Sequence, residues 1–335
     1  MDLWLLYGLL AAIFAALTTI FSKIGITCVG SHLATAIRTS VVLIFAWFMV
    51  FLTGTYSQIN YINLTTWFFI LLSGLATGGS WIFFFLALKI GTVSKVVPID
   101  KSSIILTMLL SFIFLGEAVN PFMLIGMILI GLGTWLMIDL QKNPNKNNCQ
   151  IQLYPNNFKI VTFLKLFSPS KVVAKTLKLK GFQSCSAITP TKNLWLVYAV
   201  LAAVFASLTA IFGKIGVTNI DATLFTATRT IIVLPLSLLM VYLSKDTVTK
   251  SYKITSISTK SWIFLILSGM ATGASWLFFY HALQLGNASH VVPIDRLSIL
   301  FTMIFAKVFL KETFTKRSLL GLLLLTCGIF ATLIT

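Results

Sequence analysis

The chain has 335 residues, of which 58% are hydrophobic and only 10% are charged. That composition fits no class of soluble protein and predicts a membrane protein. The formal net charge of +17 would suggest a nucleic-acid partner, but nine lysines and no acidic residue lie between Gln141 and Lys192. Because so much of the charge belongs to one stretch, it indicates orientation in a membrane, and we expect no nucleic-acid partner.

Ten apolar segments follow one another along the chain. A bilayer core about 30 Å thick needs roughly 20 apolar residues per helix, and backbone amides inside it must be paired within the segment. The first segment follows Asp2 and lacks the positive region of a signal peptide. The predicted fold class is therefore an all-α polytopic membrane protein with ten transmembrane helices, numbered here as segments 1 to 10: 3–22, 33–53, 66–88, 95–115, 120–138, 194–213, 224–243, 261–284, 290–310 and 318–334.

Segments 1 to 5 and segments 6 to 10 are two copies of one module. Residues 71–101 match residues 266–296 at 19 of 31 positions, and residues 3–29 match residues 194–220 at 17 of 27 positions. Such self-similarity indicates a repeat architecture. The predicted domains are a first repeat at 1–140, a basic connector at 141–192 and a second repeat at 193–335.

The odd number of segments in each copy predicts a 5+5 inverted repeat. The connector is not expected to cross the membrane, because its longest apolar stretch, 160–167, contains Lys165. Basic residues that both copies share carry no orientation signal, and every other basic loop residue falls on the connector side. The positive-inside rule then predicts a cytoplasmic connector and both termini outside. The connector itself is either a disordered tether or a basic segment on anionic lipid.

Glycines, prolines and tryptophans recur at matching positions of segments 3, 4, 8 and 9. Interrupted apolar segments at corresponding places of inverted halves are where transporters hold midplane sites, although small residues also serve close helix packing. The two tryptophans either face a substrate or anchor the helices at the interface. These candidates are Gly74, Gly78, Gly269, Gly273, Pro98, Pro293, Trp81 and Trp276.

Charged residues also recur in pairs. Asp100 with Lys101, and Asp295 with Arg296, follow the prolines. Each acid is either a coupling carboxylate or a first-turn residue of a helix. A second set of recurring residues is basic: Lys23, Lys214, Arg38 and Arg229. These side chains either snorkel to the lipid headgroups or form a gate at the mouth of an anion path.

Four further residues complete the candidates. Glu117 and Glu312 follow segments 4 and 9 and are interpreted as turn or cap residues. Tyr280 and His281 break the repeat, and are either substrate-binding groups or a polar pair facing another helix. No paired carboxylates, cysteine or histidine cluster, or phosphate loop is present in the sequence. The sequence therefore predicts no enzyme, no cofactor and no metal site.

Four runs of the first module carry a family resemblance: Ala-Ala-Ile-Phe-Ala-Ala-Leu-Thr-Thr-Ile-Phe-Ser-Lys-Ile-Gly at 11–25, Ala-Ile-Arg-Thr at 36–39, Leu-Ser-Gly-Leu-Ala-Thr-Gly-Gly-Ser-Trp at 72–81, and Lys-Val-Val-Pro-Ile-Asp-Lys at 95–101. Together with their copies at 202–216, 227–230, 267–276 and 290–296, they resemble the EamA-like family of the drug/metabolite transporter superfamily. The resemblance implies a ten-helix inverted-repeat carrier of the bacterial inner membrane that moves small metabolites, often outward.

Two features depart from what the resemblance implies. Many ten-helix relatives are expected to have cytoplasmic termini, whereas the charge distribution here places both termini outside. The small multidrug exporters of the superfamily carry an essential acid within helix 1, whereas here only Asp2 precedes segment 1 and segment 6 has no acid. Asp100 and Asp295 therefore become the candidates for coupling.

The predicted function is a secondary transporter that exports or exchanges a small metabolite by alternating access. Its cavity is expected between segments 1, 3, 4, 6, 8 and 9. A non-transporting membrane scaffold or fusion relic is the main alternative, and a membrane-embedded enzyme is a weaker one. The expected partners are a small-molecule substrate and the lipid bilayer. One chain supplies both modules, so a monomer suffices, and a homodimer is also compatible with the sequence.

Overall fold

The computed structural model describes residues 3–25, 31–90, 96, 99–100, 102–118, 120–137, 194–244, 257–310 and 316–333. The predicted connector at 141–192 lies outside these ranges, as do Pro98, Lys101 and Glu312. Within the described ranges, the regular structure is helical and contains no strand. The all-α prediction is therefore confirmed for the part of the chain that the structure describes.

Eleven α-helices and one 3₁₀ helix are described. The first module contributes α1 (Leu3–Gly25), α2 (Ser31–Thr53), the 3₁₀ helix Thr55–Tyr61, α3 (Leu64–Ile90), α4 (Ser103–Phe114) and α5 (Pro121–Met137). The second contributes α6 (Leu194–Val217), α7 (Ala222–Ser244), α8 (Thr259–Leu285), α9 (Ala288–Asp295), α10 (Ser298–Leu310) and α11 (Lys316–Leu333).

Short polar residues fix where some of these helices begin. The Asn120 side-chain oxygen accepts a hydrogen bond from the Phe122 amide, and Pro121 occupies the first position of α5. The Asp221 carboxylate accepts from the Thr223 amide at 2.8 Å at the start of α7. Such side chains satisfy amides that have no partner within the helix.

Seven of the described helices are long and apolar enough to cross a membrane: α1, α2, α3, α6, α7, α8 and α11. Many large apolar side chains on these helices are exposed, including Phe48, Phe51 and Leu323. An aqueous solvent would disfavour that surface, but hydrocarbon does not. The chain is therefore a multi-pass membrane protein.

Segment 9 differs from the single helix predicted over 290–310. The structure divides it into α9 and α10, with a turn at Arg296 and Leu297. Pro293 lacks an amide hydrogen, and the following amides of Arg296 and Leu297 bond three residues back, to Pro293 and Ile294. This tighter hydrogen bonding breaks the α-helical ladder and places Asp295 at the end of α9.

Helices of one module pack against helices of the other. α1 lies along α8, α3 along α6, α2 along α7 and α5 along α11. Trp4 contacts Gly286 while Gly25 contacts Leu265, so α1 and α8 run antiparallel. Each of these four interfaces therefore joins a helix of the first module to a helix of the second.

Four of the predicted glycines lie where helices cross closely. A Cβ at Gly74 or Gly78 would stand within 3 Å of Ile232 or Leu236 on α7. A Cβ at Gly269 or Gly273 would come equally close to side chains of α2. Both α3 and α8 continue through these glycines as unbroken helices. Small residues at such crossings allow helices to approach closely.

Candidate functional site

A cavity of about 600 Å³ lies between the two modules. All of the predicted segments 1, 3, 4, 6, 8 and 9 contribute to its lining, and α2 and α7 contribute as well. Its charged and aromatic lining residues are Arg38, Arg229, Arg296, Asp100, Asp295, Trp81, Trp276, Phe84, Phe279 and Tyr280. Residues at corresponding positions of the two repeats therefore line the same cavity.

Hydroxyl groups, which the sequence analysis did not single out, form the framework around this cavity. They bond between α1 and α8 in the same way as between α3 and α6. The matching pairs are Thr18 with Thr272 and Thr209 with Thr77, both at 3.3 Å, and Ser275 to the Ala11 carbonyl at 3.0 Å and Ser80 to the Ala202 carbonyl at 3.1 Å. Buried hydroxyls need such partners, and here the partners belong to opposite modules.

Arg38 extends from α2 into the cavity lining. Its Nη1 donates to the Ser22 hydroxyl at 3.2 Å, and its Nη2 donates to the Thr272 hydroxyl at 3.0 Å. The Nε atom is buried and has no hydrogen-bond partner among the described residues. Arg38 therefore joins α1, α2 and α8 through neutral hydroxyls.

Arg229, the repeat counterpart of Arg38, is more deeply buried, with 2% of its surface exposed. Its Nε donates to the Ser73 hydroxyl at 3.0 Å, and its Nη2 donates to the Thr77 hydroxyl. The guanidinium carbon lies 5.0 Å from the ring centre of Trp276 and 5.1 Å from that of Tyr280. Its Nη1 has no hydrogen-bond partner in the described part of the chain.

The remaining candidates of the second module are divided between the cavity and its surroundings. Tyr280 and Arg296 line the cavity. His281 is not among the lining residues; its ring lies 5.4 Å from that of Tyr7, and its Nε2 lies 3.3 Å from the Thr223 hydroxyl. Pro293 is buried within α9.

Lys214 and Glu117 lie together at one end of the bundle. Lys214 Nζ donates to the carbonyl of Leu283, in the last turn of α8, and to the carbonyl of Gly286, directly after that helix. The Glu117 carboxylate accepts from the amides of Ala288 at 2.7 Å and Ser289 at 2.8 Å, at the start of α9. Glu117 therefore acts as a helix cap, but for a helix of the other module.

Lys23 lies at the other end of the bundle. It is exposed, and with Thr18, Thr19, Ser22 and Arg38 it lines a smaller cavity of about 470 Å³. This smaller cavity shares Thr18 and Arg38 with the larger one. Because α1 and α8 are antiparallel, Lys23 and the Lys214 contacts lie at opposite ends. The polar space therefore extends toward Lys23, whereas the contacts of Lys214 and Glu117 join the two modules at the opposite end.

Membrane-length apolar helices around a polar cavity define a multi-pass membrane protein with an internal cavity. The model of the EamA-like transporter family matches residues 2–139 and again residues 193–334. The chain therefore belongs to the EamA-like transporter family and contains two copies of its module, as the sequence resemblance predicted.

Two further comparisons agree with this assignment. An uncharacterized transporter in the cobO 3' region of a Sinorhizobium species is 42% identical over 134 residues, which are 40% of this chain and 95% of that protein. That relative therefore corresponds to about one module. A crystal structure of a protein aligns over 98% of this chain and 96% of its own, with a TM-score of 0.68. Its sequence identity of 12% limits that likeness to the fold.

Proposed function

We propose that the protein is a secondary transporter that moves a small metabolite by alternating access between two inverted five-helix halves. The observation that carries the proposal is the cavity, because both modules build it with matching hydrogen bonds to the two repeat-related arginines. A site made equally by two halves is one around which those halves can rock. Trp81, Trp276 and Tyr280 are the proposed substrate contacts.

The directions of the helices support the inverted arrangement. Lys23 ends α1 and Lys214 ends α6, which are repeat counterparts, yet their contacts lie at opposite ends of the bundle. In the proposed arrangement, repeats 1–140 and 193–335 each cross the membrane five times. The connector at 141–192 remains cytoplasmic, both termini lie outside, and the cavity extends toward the cytoplasm.

Cysteine labelling in intact cells tests this orientation. Ser57 is exposed in the 3₁₀ helix, on the proposed outer side, and Cys149 lies in the proposed cytoplasmic connector. Two test chains each keep a single cysteine. The chain that carries only Ser57→Cys should react with an impermeant maleimide in intact cells. The chain that keeps only Cys149 should react with the same reagent only after permeabilisation. The reverse pattern would invert the proposed orientation without affecting the proposed cavity.

Counterflow into proteoliposomes tests the transport activity itself. Wild-type protein should exchange at least one member of a panel of labelled small metabolites that spans acids, amides, amines and sugars. Absence of exchange across the panel by folded protein would contradict the carrier proposal.

Asp100 and Asp295 are the proposed coupling groups, since both line the cavity. Their replacement by Asn in one chain should abolish uptake driven by a pH gradient while exchange continues. Asp221→Asn is the matched control, because Asp221 caps α7 and is not a cavity residue. Gradient-driven uptake that survives in the double variant would assign coupling to other groups.

A further inference from the structure

We propose that the solute carries a carboxylate group and that Nη1 of Arg229 binds it. This inference rests on the proposed transport function and specifies the class of substrate. It begins from the burial of Arg229, whose guanidinium stays protonated in proteins. A buried charge is costly unless it is paired. This guanidinium donates to two hydroxyls and lies against two aromatic rings, and all four of these groups are neutral.

A substitution within the repeat explains why one nitrogen of Arg229 lacks a partner. In the first module, Nη1 of Arg38 donates to Ser22. The residue that corresponds to Ser22 in the second module is Gly213, which has no hydroxyl. Nη1 of Arg229 consequently has no acceptor, while Ser73 and Thr77 hold the other two nitrogens in place. The guanidinium is therefore fixed in orientation with one donor unused.

The same glycine makes room for an aromatic ring that encloses the arginine. A Cβ at Gly213 would stand 2.6 Å from the ring of Tyr280. Tyr280 replaces Phe85 of the first module, and its ring lies on the guanidinium together with that of Trp276. The Nη1 donor is itself buried. An interaction with an anion is stronger in such an environment than in bulk water.

The charges of the cavity favour an anion over a cation. Among the described lining residues there are three arginines, Arg38, Arg229 and Arg296, and two aspartates, Asp100 and Asp295. The lining thus has an excess of one positive charge. Lys23 and Arg38 lie on the adjoining polar space, so an anion would meet basic groups before it reached Arg229. Opposite charge along such a path attracts a ligand toward the site.

The arrangement suits a carboxylate better than a phosphate dianion. Arg229 lines the cavity and offers one primary nitrogen without a partner among the described residues, whereas recognition of a phosphate uses several donors at one point. A volume of about 600 Å³ admits a small organic molecule. Trp81, Phe84 and Phe279 offer apolar contacts for the rest of its body. The expected solute is a monocarboxylate with a small, partly apolar body.

Matched acids and amides test the inference in the intact chain. The probes are phenylacetate with phenylacetamide, 3-phenylpropionate with its amide, and butyrate with butyramide. Quenching of tryptophan fluorescence reports binding to detergent-solubilised protein, since Trp276 adjoins Arg229. At least one acid should bind ten or more times more tightly than its amide. Arg229→Gln should remove that preference, and Arg229→Lys should retain part of it.

Arg317→Gln is the control, because it makes the same change at an exposed residue of α11 outside the cavity. It should leave the acid preference intact. Equal binding of acids and amides by wild-type protein, or unchanged preference in Arg229→Gln, would overturn the carboxylate inference. If wild-type protein without a preference for acids still exchanged neutral solutes in counterflow, the transport proposal would stand. Absence of binding by every acid would also overturn the inference, and counterflow on the wider panel would then decide the transport function separately.

Discussion

Replacing Glu117 by glutamine tests whether its contact with α9, at the end of the bundle away from Lys23, holds the two modules together. Its carboxylate accepts from the amides of Ala288 and Ser289 at the start of α9. Glutamine keeps one acceptor oxygen but places an amide group where the second oxygen was. That group cannot accept from a backbone amide. The variant therefore loses one hydrogen bond and the negative charge at the helix N-terminus.

The size of the effect follows from these two losses. A hydrogen bond to a charged group contributes about 1.5–3 kcal/mol, and a charge at a helix N-terminus contributes about 0.3–1 kcal/mol. Because polar groups and water replace part of this interaction when the end opens, we take a value near the lower end, about 2 kcal/mol. If the contact exists only in the closed arrangement, its loss shifts the equilibrium toward opening by about 30-fold.

A single cysteine in the cavity measures this shift. Ala206 lines the cavity and is small, so Ala206→Cys in a chain without other cysteines reports access to an impermeant thiol reagent. Added on the side of the Lys214 contacts, the reagent should label the Glu117→Gln variant about 10 to 30 times faster than its parent, in line with the free-energy loss. Asp221→Asn is the control, since Asp221 caps a helix of its own module. Equal labelling rates in folded Glu117→Gln and parent protein would refute the role of this contact.

Two further substitutions have matched controls. Trp276→Phe should weaken solute binding about 5- to 30-fold by loosening the ring contact on the guanidinium, whereas Trp135→Phe, at an exposed site, should leave the dissociation constant unchanged. Gly133→Ala should lower the free energy of unfolding by about 1–3 kcal/mol, since its Cβ would stand 2.5 Å from the Leu325 amide nitrogen. Gly131→Ala meets only the end of a flexible side chain and should melt near the wild-type temperature in detergent.

The repeat made much of the site predictable. A helical class follows from apolar segments that cannot leave backbone amides unpaired in a bilayer. The recurring tryptophans and aspartates, Trp81, Trp276, Asp100 and Asp295, all line the cavity between the modules. Their grouping was expected because motifs that recur in register occupy corresponding places in both copies.

The roles of α2 and α7 were not predicted. Arg38 and Arg229 stand near segment ends, and the apolar pattern around them does not distinguish a lipid-facing surface from a cavity. A signal was nevertheless present in the sequence, because hydroxyls four residues apart share one helix face. Thr18 with Ser22, and Ser73 with Thr77, show that spacing on α1 and α3. Ser73 and Thr77 both accept from Arg229, whereas Ser22 accepts from Arg38 and Thr18 bonds to Thr272, the second partner of Arg38.

The contact of Glu117 with α9 could not be derived from the sequence. A capping role was among its interpretations, but local sequence identifies caps only for the helix that follows the capping residue. The cap on α9 joins residues 171 and 172 positions apart and depends on how the modules pack. The division of segment 9 likewise required coordinates, since proline within an apolar run predicts an irregularity without fixing its position.

The differences between the two modules bear on how a duplicated carrier can bind a solute that is itself asymmetric. Arg38 and Arg229 each donate through Nη2 to the corresponding threonine of the opposite module. They differ where Ser22 becomes Gly213 and where Phe85 becomes Tyr280, and these changes leave only Arg229 with a free terminal nitrogen between rings. A single-module relative that paired with itself would have two equivalent arginines. Fusion of two modules allows each to diverge, and here the divergence yields one deep donor and one near the open end, which suits a solute with one charged end and one apolar end.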